Sequence, residues 1–435
     1  MAIIPQQTFF VWSEIENLGD LERLKLVIEY MPDEELMQAL EKERGKGRDD
    51  YPVRAMWNSI LAGVVYQHNS VESLRRELSR NGQLRFMCGF KSQKDVPGSD
   101  VYSRFFKKLF EKEDIINGIF NKLVDELEKI LPGFGKNLAI DGKAISSLAG
   151  HKNKNKEEDG RRDIDADWAK KEYKGINKNG TAWSKIVKWF GYRLHLIVDA
   201  DYELPVAFEV TKASTSEIKK AHTIFEQLNK NHPEIIKKCE TVEADRGYDD
   251  TKLIIKLWDE YKIKPVIDIR NMWKDGEETR QLSNIKNVVY NYKGNVYCYC
   301  LETGERREMC NGGFEKDRNM LKKICPAKQY GLKCKCMDKC PAASGLRISL
   351  EENRRIFTPI DRSSYKWERL YKKRTSVERV NSRLDGSFGF EKHYIRGLKK
   401  MKIRCGIALC VMLAMAVGRI KEKQEDKMRS LVKSA

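Results

Sequence analysis

The chain has 435 residues, of which 41% are hydrophobic and 34% charged, a length that predicts two or three domains. Its net charge is +18, which fits a polyanionic partner such as nucleic acid and equally fits a merely soluble basic protein. The longest apolar stretch, Cys405–Gly418, is shorter than the roughly 18 residues of a membrane span, so we expect a buried helix and no membrane partner.

The N-terminus has no basic start followed by an apolar run, so we expect no signal peptide and a cytoplasmic location. The 11 cysteines are odd in number, which disfavours a disulfide framework. A thiolate metal site is the better use of any cysteine cluster.

Helical spacing of apolar residues predicts helices from residue 10 to about 130, and we take residues 1–130 as an N-terminal domain for DNA binding or assembly. Pro52–Tyr66 is typical of a buried helix with proline at its start. Ser70 is a candidate cap for the next helix, and a third follows Pro97. These helices fit either a helix-turn-helix reader of DNA or an ordinary small bundle.

Short strands begin at Asn137, and strands then alternate with helices, which predicts a mixed α/β sheet. The strand interpretations rest on apolar runs and on alternation of apolar and polar side chains. The predicted strands are Leu138–Asp141, Gly191–Ala200, Leu204–Val210, Thr241–Asp245 and Pro265–Ile267, and the predicted helices are Ser216–His232 and Lys252–Tyr261.

Two segments interrupt this pattern. His151–Lys188 is polar and charged, and we expect a long loop whose tryptophans either pack locally or stack on an unpaired base. Residues 270–350 form a Cys-rich insertion that splits a catalytic domain of residues 131–269 and 351–420, and residues 421–435 form a charged tail. The tryptophans concerned are Trp168, Trp183 and Trp189.

The insertion carries seven cysteines within 43 residues. Four thiolates could hold structural Zn²⁺ and stabilise a module that is short of core, and the candidates are Cys325, Cys334, Cys336 and Cys340. Unligated buried thiols are the alternative, because the spacing lacks paired Cys-x2-Cys motifs and the segment has no histidine.

Asp141 and Asp245 each end an apolar strand and are candidate metal ligands. Phosphodiester cleavage by two divalent ions needs carboxylates that converge from different elements, because magnesium prefers oxygen ligands. For either aspartate alone, a solvated strand end is the favoured interpretation. His195 and Asp199 share a strand face and could border such a site, although a core histidine is the favoured interpretation.

Glu378 lies in a predicted helix, Tyr365–Leu384, on a polar stripe with Tyr371 and Arg374. A carboxylate there could face the sheet edge while its neighbours contact DNA phosphate. The helix pattern by itself favours the alternative, a surface ion pair between Arg374 and Glu378 at i, i+4.

Tyr371-x2-Arg374-x3-Glu378 resembles the Tyr-Arg-Glu signature of bacterial insertion-sequence transposases of the DDE class. Four further segments, in the family's order, are similar to its other motifs, and together they cover most of residues 50–415. They are the helical segment Pro52–Leu109, the first-aspartate strand Leu138–Lys143, the intervening strand Gly191–His195 and the second-aspartate motif Ala244–Tyr248.

The resemblance implies a ribonuclease-H-like catalytic domain in which Asp141, Asp245 and Glu378 hold two Mg²⁺ ions, with Mn²⁺ as a substitute. It implies DNA as the partner, namely the element's terminal inverted repeats and target DNA, and a homodimer or larger assembly in a bacterial, nucleoid-associated setting. The implied activity is strand cleavage at element ends followed by strand transfer. A nuclease that does not join DNA and a transposase-derived DNA-binding regulator remain as alternatives.

The segment 366–404 holds 13 basic and four acidic residues, and next to the candidate site this favours a DNA groove over a solvated face. One position departs from the family pattern, because Asp385 stands where a lysine is common, seven residues after Glu378. The predicted DNA contacts are Tyr371, Arg374, Lys143, Arg246, Arg379 and Arg383.

Overall fold

The computed structural model describes residues 19–44, 51–149, 162–177, 179, 181–282 and 285–431. Helices fill the described part of the N-terminal region, as its apolar spacing predicts, and residues 10–18 of that prediction lie outside the described residues. These helices are α1 (Glu22–Tyr30), α2 (Glu34–Arg44), α3 (Val53–Val65), α4 (Val71–Arg80), α5 (Gly82–Cys88), α6 (Ser99–Phe110) and α7 (Glu113–Ile130).

Local sequence sets several of these helix boundaries. The Ser70 hydroxyl accepts a hydrogen bond from the Ser73 amide at the start of α4, so the predicted cap is confirmed. Asn81 caps α5 in the same way. Helix α3 is buried on nearly every side and forms the centre of the helical region.

A six-stranded mixed sheet follows, with strand order β2-β3-β1-β5-β6 and with β4 on the outer side of β3. Strands β1, β5 and β6 are parallel, whereas β3 is antiparallel to β1, β2 and β4. This is the mixed α/β sheet that the sequence predicts. Its elements are β1 (Asn137–Ser146), β2 (Asp167–Ile176), β3 (Ala182–Asp199), β4 (Pro205–Lys212), α8 (Glu217–Asn231), α9 (Pro233–Lys238), β5 (Thr241–Ala244), α10 (Thr251–Ile255) and β6 (Lys264–Ile267).

The prediction of a long loop over 151–188 is wrong for most of the part that the structure describes. Strand β2 and the first half of β3 form an antiparallel hairpin that pairs Asp167 with Gly191 and Ile176 with Ala182. In β3, residues 182–188 are exposed, so no buried face imposes the alternation by which a strand is recognised in sequence. Residues 150–161 lie outside the described residues.

The Cys-rich insertion forms two small antiparallel sheets, of four and three strands, around a second hydrophobic cluster to which Trp258 and Phe357 of the flanking segments contribute. Six of its cysteines line one small cavity, and the closest group includes Cys300, which the predicted zinc set left out. The elements are β7 (Thr279–Gln281), β8 (Val288–Asn291), β9 (Val296–Tyr299), β10 (Arg306–Glu308), β11 (Cys310–Glu315), β12 (Met320–Ile324), α11 (Pro326–Tyr330) and β13 (Leu346–Ser349).

Three helices complete the fold: α12 (Tyr365–Tyr371), α13 (Thr375–Phe388) and α14 (Leu398–Lys421). The helix predicted as one piece is divided by a 3₁₀ turn at Lys372–Arg374. Helix α14 is long and apolar enough to cross a membrane, but 89% of its apolar window is buried inside the protein, so the predicted buried helix is confirmed. It packs against α1, α7 and β4 and joins the helical region to the sheet in one hydrophobic core.

Candidate active site

The two aspartates come together on neighbouring strands in the interior of the sheet. Strands β1 and β5 are parallel neighbours, and their register pairs Ile140 with Ala244. Asp141 and Asp245 are the next residues in that register. Because neighbouring strands lie about 4.8 Å apart and paired residues share a face, both carboxylates project from the same face of the sheet. Asp141 lies in the middle of β1, which continues to Ser146 beyond its predicted end, and Asp245 directly follows β5.

Helix α13 lies across that same face. Asp141 and Lys143 alternate with Gly142 and therefore point to one side of β1. The Lys143 ammonium forms an ion pair with Asp385 of α13, and α13 packs on β1 and β3. Glu378 lies seven residues before Asp385, close to two helical turns, so it belongs to the same stripe and the same side of the sheet.

Arg374 connects Glu378 to the aspartates. Its guanidinium donates to Glu378 Oε1 and lies 5.6 Å from the centre of the Tyr371 ring. Burial opposes the charge of Arg374, but Glu378, Tyr371 and Asp141 together raise its pKa. The ion pair that sequence offered as an alternative is thus present, and it lies within the field of Asp141.

The carboxyl of Asp141 has a pKa well above that of an ordinary aspartate. Burial raises its pKa to about 6, and the negative charges of Asp245 and Glu217 add to the rise. The nearby ammonium of Lys171 and the amide of Gly142 act in the opposite direction. Several carboxylates crowded into a low-dielectric position favour a bound cation, so these residues fit a divalent metal ion.

Glu217 is a neighbour of the site that sequence reasoning missed. It begins α8 and forms an ion pair with Arg193, N···O 2.8 Å. A β-carbon at Gly142 would lie 2.7 Å from Glu217 Oε1, and one at Gly247 would lie 3.2 Å from Oε2. In the sequence Glu217 has the pattern of an ordinary acid in the first turn of a helix, which gives no sign of this placement.

Lys171 reaches the site from the hairpin. Its ammonium lies 3.9 Å from Asp245 Oδ2. Tyr248 is buried close to these acids. Burial and the negative charges of Asp141 and Glu217 raise the pKa of its hydroxyl. Lysines are frequent around residue 171, so only the folded hairpin distinguishes this one.

Three predicted DNA contacts lie close to the acids. Tyr371 stacks on Trp367, with ring centres 4.6 Å apart. Arg246 follows Asp245 directly, is 67% exposed, and pairs with Asp268 at 2.7 Å. Lys143 is committed to Asp385, so the aspartate at the family's lysine position receives its positive partner from the neighbouring strand.

Arg379 and Arg383 do not join this group. The Arg379 side chain donates to Glu203 Oε1 at 2.6 Å, and Arg383 donates to the Glu203 carbonyl oxygen. Both therefore attach α13 to the turn between β3 and β4, away from the acids. Helical geometry directs both to another side of α13 than Glu378, and their DNA contact stays a prediction.

His195 and Asp199 are structural. His195 is buried, pairs with the Thr211 hydroxyl at 2.9 Å, and has a pKa lowered to about 3 by burial. Asp199 accepts hydrogen bonds from the amides of Gly135 and Tyr202. The favoured interpretation of His195 as a core residue is confirmed.

The three tryptophans lie along the hairpin. Trp189 is buried and donates to the Tyr192 carbonyl, whereas Trp168 packs beside Phe190 with ring centres 5.5 Å apart. Trp168 and Trp183 remain 49% and 43% exposed. Local packing therefore accounts for Trp189, and the other two present ring surface to solvent.

Two known protein families match the sequence of this chain. The family described as "Transposase DDE domain" matches residues 136–414, and the family described as "Transposase domain (DUF772)" matches residues 13–108. Nothing among curated proteins matches the chain.

A solved structure of the piggyBac transposase synaptic complex with hairpin DNA is 11% identical, with TM-score 0.29, over 96% of this chain and 86% of that one. The match to the DDE family covers the sheet, the insertion and the helix that carries Glu378. The chain therefore belongs to the Transposase DDE domain family, has its ribonuclease-H-like fold, and is a DNA-cleaving transposase that uses a divalent metal ion.

Proposed function

We propose that Asp141, Asp245 and Glu378 are the metal-binding carboxylates and that they take two Mg²⁺ ions, for which Mn²⁺ can substitute. The proposal is supported by the register that sets Asp141 beside Asp245 on one face of the sheet, and by the packing of α13, which carries Glu378, against β1 through the Lys143–Asp385 ion pair. When bound, the ions activate the attacking oxygen and stabilise the leaving oxygen of a phosphodiester.

The protein's own groups bind and orient the DNA strand. Arg374 holds Glu378 in the free chain and is close enough to the acids to contact a phosphate beside them. Lys171 and Arg246 flank Asp245 and add positive charge where a strand must enter. Pre-positioned charge of this kind lowers the barrier to phosphoryl transfer without reorganisation during the reaction.

The reaction that we propose is cleavage at the element's terminal inverted repeats, followed by attack of the freed 3′-hydroxyl on target DNA. Both steps are in-line displacements at phosphorus that one set of carboxylates serves in turn. Two ends must be joined in one event, so we propose a homodimer or larger assembly on DNA.

A strand-transfer assay distinguishes this reaction from that of a nuclease. A labelled duplex that ends in the element's repeat with a free 3′-hydroxyl is incubated with supercoiled plasmid and Mg²⁺. We expect labelled joint molecules, and we expect none when the terminal nucleotide is a dideoxynucleotide, which removes the nucleophile. Cleavage of an uncut end without any joint product would instead identify a nuclease that does not join DNA.

A further inference from the structure

The cysteines of the insertion form a cluster that the transposition chemistry does not use. The cavity they line measures about 20 Å³, roughly the space of one water molecule or one ion. All the cysteines of the insertion except Cys310 line it. They are Cys298, Cys300, Cys325, Cys334, Cys336 and Cys340.

Three of these thiols are already close enough to share one ion. The sulfur atoms of Cys300, Cys334 and Cys336 all lie within 4.8 Å of one another, and those of Cys334 and Cys336 are 3.6 Å apart. Two thiolates bound tetrahedrally to zinc at about 2.3 Å lie roughly 3.8 Å from each other. The observed spacing fits that arrangement and is far longer than a disulfide bond, and all the cysteines concerned are free.

The ligands come from separate pieces of the insertion. Cys298 and Cys300 lie at the end of β9, in the four-stranded sheet. Cys325 follows β12 in the three-stranded sheet, and the remaining cysteines lie between α11 and β13. The strands are three to six residues long and share one small apolar cluster, so an ion here would cross-link two sheets that have little core between them.

We propose that this cavity is a structural zinc site, held by the thiolates of Cys300, Cys334 and Cys336 and by a fourth cysteine from across the same cavity. Four sulfur ligands in tetrahedral geometry select zinc or an iron–sulfur cluster, and a cavity for one ion favours zinc. A fourth thiolate leaves no open position for substrate, so the role is structural. The site is independent of the proposed magnesium site.

The first test is the metal content of the full-length chain, purified without added metal. We expect about one zinc ion per chain. The double variant Cys334→Ser/Cys336→Ser is expected to lose that zinc, whereas Cys310→Ser, a cysteine of the same insertion outside the cavity, is expected to retain it. Iron with acid-labile sulfide in place of zinc would overturn the assignment.

The second test uses the native chain, so it does not depend on the folding of a variant. Replacement of zinc by Co²⁺ is expected to give the visible absorption bands of tetrahedral cobalt thiolate, and a strong chelator is expected to raise the number of thiols that a thiol reagent modifies. A metal-free native chain whose thiol count is the same with and without chelator, and which gives no cobalt thiolate spectrum, would overturn the proposal.

Discussion

Gly142 lies directly after Asp141, and its missing side chain leaves room for Glu217 to approach from the other face of β1. A β-carbon there would lie 2.7 Å from Glu217 Oε1 and 3.2 Å from Arg193 Cδ, so two paired side chains would have to move. We expect Gly142→Ala to lower the free energy of unfolding by about 1–3 kcal/mol and to impair DNA cleavage.

Gly118→Ala in α7 is the matched control for this substitution. A β-carbon at Gly118 meets nothing within 4 Å, and alanine favours a helix interior by about 0.5–1 kcal/mol over glycine. Chemical denaturation should show Gly118→Ala unchanged or more stable. Equal stability and cleavage of Gly142→Ala and the native chain would contradict the packing described for this position.

Glu243 is a second residue whose behaviour follows from its surroundings. It is fully buried beside Asp245, burial raises its pKa to about 8, and its Oε2 has no hydrogen-bond partner among the described residues. The usual pKa of a glutamate is near 4.5, so between about pH 4.5 and pH 8 this carboxyl is ionised in the unfolded chain and protonated in the folded chain. The free energy of unfolding must therefore fall as pH rises through that window.

We expect Glu243→Gln to reduce this loss by about 2–4 kcal/mol between pH 5 and pH 8, since glutamine does not ionise. The measurement is urea unfolding of both proteins across that range. The exposed neighbour Glu240, which pairs with Lys136, is the control, and Glu240→Gln should keep the native slope. An unchanged slope in Glu243→Gln would show that this carboxyl ionises freely in the folded chain.

The proposed ligands could be selected from the sequence because each follows a short apolar run or occupies a helix stripe with a recognisable spacing. Lys171 and Glu217 were not predictable, because each has the local pattern of an ordinary surface charge. Their positions depend on which strands pair and on where α8 begins relative to β1. Arg379 and Arg383 were predicted as DNA contacts from charge alone, and Glu203 occupies both of them.

At the scale of elements, the contact between β1 and α13 fixes the third acid relative to the first. The ion pair of Lys143 with Asp385 lies in that contact, with side chains only 11% and 27% exposed. We expect a double-mutant cycle with Lys143→Met and Asp385→Asn to give a coupling of about 1–3 kcal/mol in the free energy of unfolding. Removal of one partner leaves the other charge largely buried without its counter-charge.

The exposed pair of Glu234 with Lys237 provides the comparison for this cycle. Its side chains are 65% and 69% exposed, and such pairs contribute about 0–1 kcal/mol. Equal coupling in the two cycles would mean that the Lys143–Asp385 contact does not hold α13 on the sheet.

The hairpin of β2 and β3 is the element that the hydrophobic pattern of the sequence did not predict. Strand β3 alternates clearly only where it pairs with β1, from Gly191 onward, and this half was predicted. The outer half extends into solvent, where Trp183, Ile186 and Val187 are exposed, so its apolar residues do not mark a buried face. Backbone pairing with β2 forms this part of the strand, and pairing leaves no trace in hydrophobic periodicity.

At the scale of the whole molecule, the helical region and the catalytic sheet share one hydrophobic core through α14. Leu409 of α14 is fully buried, and Leu409→Ala is expected to lower the free energy of unfolding by about 2–5 kcal/mol. Because the core is continuous, hydrogen exchange should accelerate in α7 and β4 together. Leu332→Ala, at a 46% exposed position of the insertion, should leave both unchanged. Acceleration confined to one of the two elements would indicate separate cooperative units.

The proposed reaction requires Asp141, Asp245 and Glu378 to act as one metal-binding set. The direct test is Mg²⁺-dependent cleavage of DNA carrying the terminal inverted repeats, by the native chain and by Asp141→Asn, Asp245→Asn and Glu378→Gln. Glu368→Gln is the control, because Glu368 also forms an exposed i, i+4 ion pair, with Lys372. We predict that each of the three variants loses at least about a hundredfold in cleavage rate while it still folds and binds DNA, and that the control stays near the native rate. A native cleavage rate in any one of the three would contradict the account.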